Sequence, residues 1–403
     1  MTSPALPRYK LSKNLEHLTP SETMAISQLA RQKRAAGEDV IDLSAGEPDF
    51  ATPRAIAENG VRAIQQGKTH YPPNQGLLEL RAAAARHLSL LSGGRPVNAD
   101  NVLVSTGAKQ SLFNAVFTLF GPGDKVLIPA PYWVSYPQMV RFARADPVFV
   151  SGAEEWSLKV GVEDLEKARD SLTRGLIISS PTNPTGAVYT RAELRAIAAW
   201  ARKHEIWLIS DEIYRRIHYG PGPAPSLLDL PDEQLERSVI VTGVSKAYAM
   251  TGWRIGLALG PTSVVKGMAG VQSHTTSGAS HPAQWAAVTA YEDDRIEIEV
   301  GRMVETFRSR RDKVVAHFRD HLPGVEFVEP VGAFYFFFRV DHLFTDDLRG
   351  AAAFCEQLLQ EAGVALVPGE AFGDRRWVRL SYAAADPDIE RALVRIADFM
   401  RKG

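Results

Sequence analysis

Short β-branched runs alternate with stretches of helical periodicity through the middle of this chain, and that alternation narrows the possible folds more than any other feature. KVLIPA (125–130), LIISSP (176–181), IWLISDE (206–212) and SVIVTGVS (238–245) read as strands. ELRAAAARHLSLL (79–91), QSLFNAVFTLF (110–120) and AELRAIAAWARKH (192–204) read as helices. Strand–helix–strand spacing of this kind predicts an α/β fold with a mostly parallel sheet covered by helices. Ligands of such sheets sit beyond the carboxyl ends of the strands. From about Tyr291 the texture changes to a long charged helical stretch (293–322) and then a shorter α+β tail. A large domain over 51–292 and a smaller one over 293–403 are expected, with residues 1–50 folded against the latter.

Bulk properties exclude several classes of function. The 403 residues carry a net charge of −1, so no electrostatic footprint argues for nucleic acid or an anionic membrane. No apolar run approaches the roughly 18 residues needed to span a bilayer. The N-terminal MTSPALPRYKLSKNLEHL lacks an apolar core followed by a cleavage site. Cys355 is the sole cysteine, which rules out an intrachain disulfide and fits a reducing compartment. These features predict a soluble, cytoplasmic protein.

The chemistry-bearing residues lie just after predicted strands, and each admits two readings. STGAKQ places Gly107, Ala108 and Lys109 at a helix start, where free N–H groups and the dipole suit a phosphate. From this segment alone, Lys109 reads first as a solvated surface lysine on an ordinary helix start. Trp133 in APYWVSYP could stack on a flat heterocycle or simply fill the core. Asn183, bracketed by Pro181 and Pro184, has an amide held in one orientation, or one that satisfies its own turn. Asp211 ends an apolar strand with Tyr214 following; it either pairs with a buried cation or caps a turn. In SKAYAMTGWRIG (245–256), Lys246 and Arg254 are separated only by uncharged residues. A desolvated lysine has the lowered pKa that an imine-forming nucleophile needs, whereas most lysines reach solvent. Arg254 offers a fork for phosphate, and Arg379 in WVRLSYA one for a carboxylate or a surface ion pair. Together these are the needs of a pyridine aldehyde phosphate: an imine lysine, an acid for the ring nitrogen, donors for the phenolic oxygen, an aromatic face and a phosphate cup.

With those motifs in this order, the chain resembles the class I/II aminotransferases, fold-type I pyridoxal-phosphate enzymes, in the bacterial aspartate aminotransferase group. The likeness runs from LSAGEPDF (43–50) through SPTNPTG and SDEIY to VRLSYA. It implies a seven-stranded, mostly parallel sheet and pyridoxal 5′-phosphate as cofactor. It also implies that Lys246 carries the cofactor and shuttles the proton while Asp211 pairs with the ring nitrogen. Asn183 and Tyr214 are implied to bond the phenolic oxygen, and Trp133 to pack on the ring. Gly107, Ala108, Lys109, Ser245 and Arg254 would hold the phosphate end, with Tyr71 from a neighbouring subunit completing the cup of a homodimer. Arg379, Gly46, Asn183 and Trp133 would bind the substrate.

The resemblance further implies ping-pong transfer between an L-amino acid, aspartate or glutamate, and a 2-oxo acid, 2-oxoglutarate or oxaloacetate. Lys109 could face the distal carboxylate, with Ser21 reaching in from the N-terminal segment. Thr19 stands in T-P-S where relatives that also transaminate prephenate have lysine. An aromatic or broad-specificity aminotransferase, prephenate included, is the alternative within the family, and a lyase shares the scaffold. A ligand-sensing transcription regulator would need a DNA-binding domain ahead of LSAGEPDF, and no basic recognition helix is found there.

Overall fold

The computed structural model describes Ser12, residues 22–346 and residues 348–401. Thirteen strands form three sheets among the described residues. They are β1 (Ile41–Asp42), β2 (Val102–Thr106), β3 (Lys125–Ala130), β4 (Asp146–Ser151), β5 (Thr173–Ser179), β6 (Trp207–Asp211) and β7 (Ser238–Gly243). The chain continues with β8 (Ile255–Leu259), β9 (Phe327–Val328), β10 (Tyr335–Arg339), β11 (Val364–Ala365), β12 (Val367–Pro368) and β13 (Trp377–Ser381).

The main sheet has seven strands in the order β2-β8-β7-β6-β5-β3-β4. All its pairings are parallel except those of β8, which runs antiparallel to both neighbours. The α/β reading and the mostly parallel sheet therefore hold. The central strands have aliphatic middles and are almost fully buried, as a sheet covered on both faces requires. The helices anticipated from periodicity form at Leu78–Leu91, Ala108–Leu119 and Arg191–Lys203. The last starts with a capping box in which Thr190 and Glu193 satisfy each other's backbone donors.

The second sheet is antiparallel, ordered β12-β13-β10-β9, and carries the phenylalanine-rich strand β10. It follows the long helix Asp294–His321. Ile41 and Asp42 of β1 pair in parallel with Val364 and Ala365 of β11, tying the N-terminal segment to the C-terminal part of the chain.

The sheet's direction explains where the candidate residues gather. Parallel strands β2, β3, β5, β6 and β7 present their carboxyl ends, hence Gly107, Trp133, Asn183, Asp211 and Lys246, along one edge. Antiparallel β8 enters from that same edge, so the residue before it, Arg254, joins them.

Candidate active site

A cavity of about 740 Å³ opens at that edge. Its lining includes Gly46, Ala108, Lys109, Trp133, Asn183, Asp211, Tyr214, Ser245, Lys246, Arg254 and Arg379. The chain thus brings almost every predicted site residue into one space. Gly107, which precedes the lining residue Ala108, does not itself line it. Tyr71 does not line the cavity of its own chain and is 91% exposed. Ser21 lies outside the described residues, as does Thr19.

Lys246 follows β7 in a short turn. Its Nζ donates to the Gly46 carbonyl and stands 5.7 Å from the Tyr214 ring centroid and 5.8 Å from that of Phe334. Withdrawal from water lowers its pKa to about 8, although Glu47 pulls it upward. The backbone of Gly46, expected to attend the substrate, thus also offers its carbonyl to this lysine.

Asp211 is buried at the end of β6. Tyr136 donates to its Oδ2 at 2.7 Å, and the Ile213 N–H to Oδ1 at 3.2 Å. The turn-capping reading is therefore half realised, through Ile213. Burial raises the Asp211 pKa to about 6, against the pull of those donors and of Lys246. No cation among the described residues lies within ion-pair distance of it, so the carboxylate is available to a cationic partner that the chain itself does not supply.

The helix Ala108–Leu119 starts at Gly107, whose φ of 81° is left-handed. A Cβ on Gly107 would run into the Arg254 guanidinium, and one on Gly256 into the Gly107–Ala108 backbone. Two glycines thus let a guanidinium lie against a helix N-terminus. Arg254 itself has φ 59°, a conformation costly for a non-glycine residue and held here by the turn. Its Nη1 donates to the Thr251 carbonyl at 3.0 Å. Donors and dipole end make an anion cradle. Lys109 stands at its rim, 5.0 Å from the Trp133 ring centroid, and partial burial with the nearby Arg254 cation lowers its pKa.

Arg379, on β13, is buried and stacked 4.4 Å from the Tyr335 ring centroid. Its Nη1 donates to Asn183 Oδ1 at 3.0 Å and its Nη2 to the Ser44 carbonyl at 2.7 Å. Nε is buried with no hydrogen-bond partner. The Asn183 amide oxygen is therefore taken by the arginine and not by its own turn. Tyr214 pairs with the Tyr335 hydroxyl at 2.7 Å.

Sequence reasoning missed several lining residues. Tyr136 holds Asp211 and Tyr335 holds Tyr214. Ser44 links the Arg379 clamp to Asp42 at 2.5 Å and to Ser27 at 2.6 Å. For Tyr136 a signal existed, because it sits in the first turn of the helix Ser135–Phe142 beside Trp133. The others depend on contacts that no local pattern reports.

One cavity thus holds a desolvated amine, a buried unpaired carboxylate, a helix-end anion cradle and a buried guanidinium. These fit a cofactor with a carbonyl, a basic ring nitrogen and a phosphate, alongside a substrate carboxylate. No cluster of metal-ligating side chains occurs among the described residues. The family Aminotransferase class I and II matches residues 38–396. An aspartate aminotransferase of Bacillus subtilis is 40% identical over 98% of this chain and 99% of its own. An aspartate/prephenate aminotransferase of Thermus thermophilus is 40% identical over 96% of this chain and 98% of its own. The solved structure of an aspartate aminotransferase from Thermus thermophilus with maleate superposes with a TM-score of 0.90 at 39% identity, covering 97% of this chain and 99% of that one.

Proposed function

The chain belongs to the class I and II aminotransferases, and we propose that it transfers the amino group of aspartate or glutamate to a 2-oxo acid, with pyridoxal 5′-phosphate as carrier. The observation that carries this reading is the shared cavity of Lys246, Asp211 and Arg379. When bound, the cofactor supplies an aldehyde carbon for the amino group and a ring that accepts the electrons left when the α-proton departs.

The remaining work falls to side chains. Lys246 would hold the aldehyde end and, once displaced by the incoming amine, its neutral Nζ would act as the base that takes the α-proton and delivers it to the former aldehyde carbon. Its lowered pKa keeps that base available near neutrality. Asp211, buried at the end of β6, would hold the ring nitrogen's cation. Asn183 and Tyr214 would donate toward the phenolic oxygen, and Trp133 would cover the ring and exclude water. The N–H groups after Gly107, with Ser245, Arg254 and Lys109, would hold the phosphate end. Arg379 would orient the α-carboxylate, and Lys109 at the rim would meet the distal carboxylate.

Assembly and location belong to the same proposal. A homodimer would bring Tyr71 to a neighbour's cup, and its near-complete exposure here supports that use. Apart from the 1–50 segment, the division at 292/293 is supported by the two separate sheets and by the break between the helices His281–Glu292 and Asp294–His321, while Ile296, Val300 and Met303 of the latter still pack into the large-sheet core. No helix among the described residues is long and apolar enough to cross a membrane. A cytoplasmic setting is supported by the lone, buried Cys355.

The test is a half-reaction screen. Single amino acids are added to protein loaded with pyridoxal phosphate, and its visible absorption is followed. Aspartate and glutamate should discharge it faster than phenylalanine, and 2-oxoglutarate should restore it. Including prephenate as an acceptor decides the broader reading. No response to any amino donor would refute the proposal.

A further inference from the structure

We propose that Tyr136 is a positioning residue for Asp211, its hydroxyl fixing the carboxylate and keeping it anionic toward the cofactor ring without neutralising it. The inference rests on the cofactor reading above and assigns a role to a residue outside it.

The geometry carries it. Tyr136 is 2% exposed, packed edge-on against Trp133 at 5.4 Å, and its hydroxyl lies 2.7 Å from Asp211 Oδ2. Ser179, at the end of β5, hydrogen-bonds the same phenolic oxygen, which orients its proton toward the carboxylate. Ile213 N–H occupies Oδ1, so both carboxylate oxygens are tied to neutral donors. The choice of donor matters. A buried carboxylate without hydrogen bonds takes up a proton, and one paired with arginine or lysine spends its charge on that partner. A phenol supplies a charge-assisted bond and leaves the full negative charge for a ring cation. Burial drives the Tyr136 pKa well up, so it remains a donor throughout the working range.

The ionisable groups facing Asp211 are Tyr136 from the helix Ser135–Phe142, Tyr214 from the turn after β6, and Lys246 from the loop after β7. Glu212, next in the chain, accepts instead from Ser210 and the Leu227 N–H. Asp211 titrates near 6 with its donors in place. Removing the phenol leaves burial less opposed, so protonation moves upward toward neutral pH.

The experiment measures the affinity of the whole protein for pyridoxal phosphate at pH 6.5 and pH 8.5, for wild type, Tyr136→Phe and Ser179→Ala, with thermal midpoints as a folding control. Tyr136→Phe should weaken affinity about tenfold at pH 6.5 and under about threefold at pH 8.5, as the loss of one charge-assisted bond implies. Ser179→Ala should shift affinity in the same direction by less, and it carries the test if the first variant does not fold. Equal affinity to wild type at both pH values, or an equal loss at both, would overturn the inference, since a merely structural role has no reason to be pH-dependent. Wild type that takes up no pyridoxal phosphate at all would instead refute the cofactor reading.

Discussion

The floor of the cavity and its rim are built on opposite principles. On the floor, Asn183, Asp211 and Arg379 are buried, and each polar contact is made to one or two specific partners. At the rim, Arg31 and Lys109 are exposed cations around the same opening. A buried charge whose partner is removed stays desolvated and loses several kcal/mol, whereas a rim charge is screened by water and salt. The floor should therefore decide whether the reaction occurs at all, and the rim which substrate enters.

That contrast can be broken by substitution. On the proposed function, Lys246→Ala removes both the covalent anchor and the proton carrier, and should lower turnover by at least about 10⁴-fold. Steady-state rates near wild type would end the mechanism. Arg379→Ala should raise KM for aspartate by about 100-fold, the scale for losing a buried charged partner. A change under about fivefold would put Arg379 among the rim residues. Lys109→Ala should raise KM for aspartate about tenfold and that for phenylalanine less than about twofold, since only the former has a distal carboxylate. Equal effects on both substrates would deny the rim its selective role.

Much of the floor was legible because its residues follow strands. Pro-bracketed Asn183, Asp211 at the end of IWLISD and Lys246 after SVIVTG each sit where chain direction alone forces a common edge. The partners of those residues were not legible. Tyr136 meets Asp211 across 75 positions and Arg379 meets the Ser44 carbonyl across 335, so only the folded topology shows the contact. Antiparallel β8, which delivers Arg254 to the cradle, is also hidden locally, because one strand's direction leaves no mark in its own sequence. The long helix Asp294–His321, by contrast, follows from periodicity and charge alone.

The central claim is that Lys246, with its pKa lowered to about 8, is the amine that carries the cofactor. It is tested by incubating the protein with pyridoxal phosphate, reducing with borohydride and mapping the adduct by peptide mass spectrometry across pH. The adduct should fall on Lys246, its rate of formation in cofactor-free protein should rise through pH 8 and not near the ordinary lysine value, and prior aspartate should prevent trapping. An adduct on Lys109 or scattered over surface lysines, unaffected by aspartate, would contradict the account.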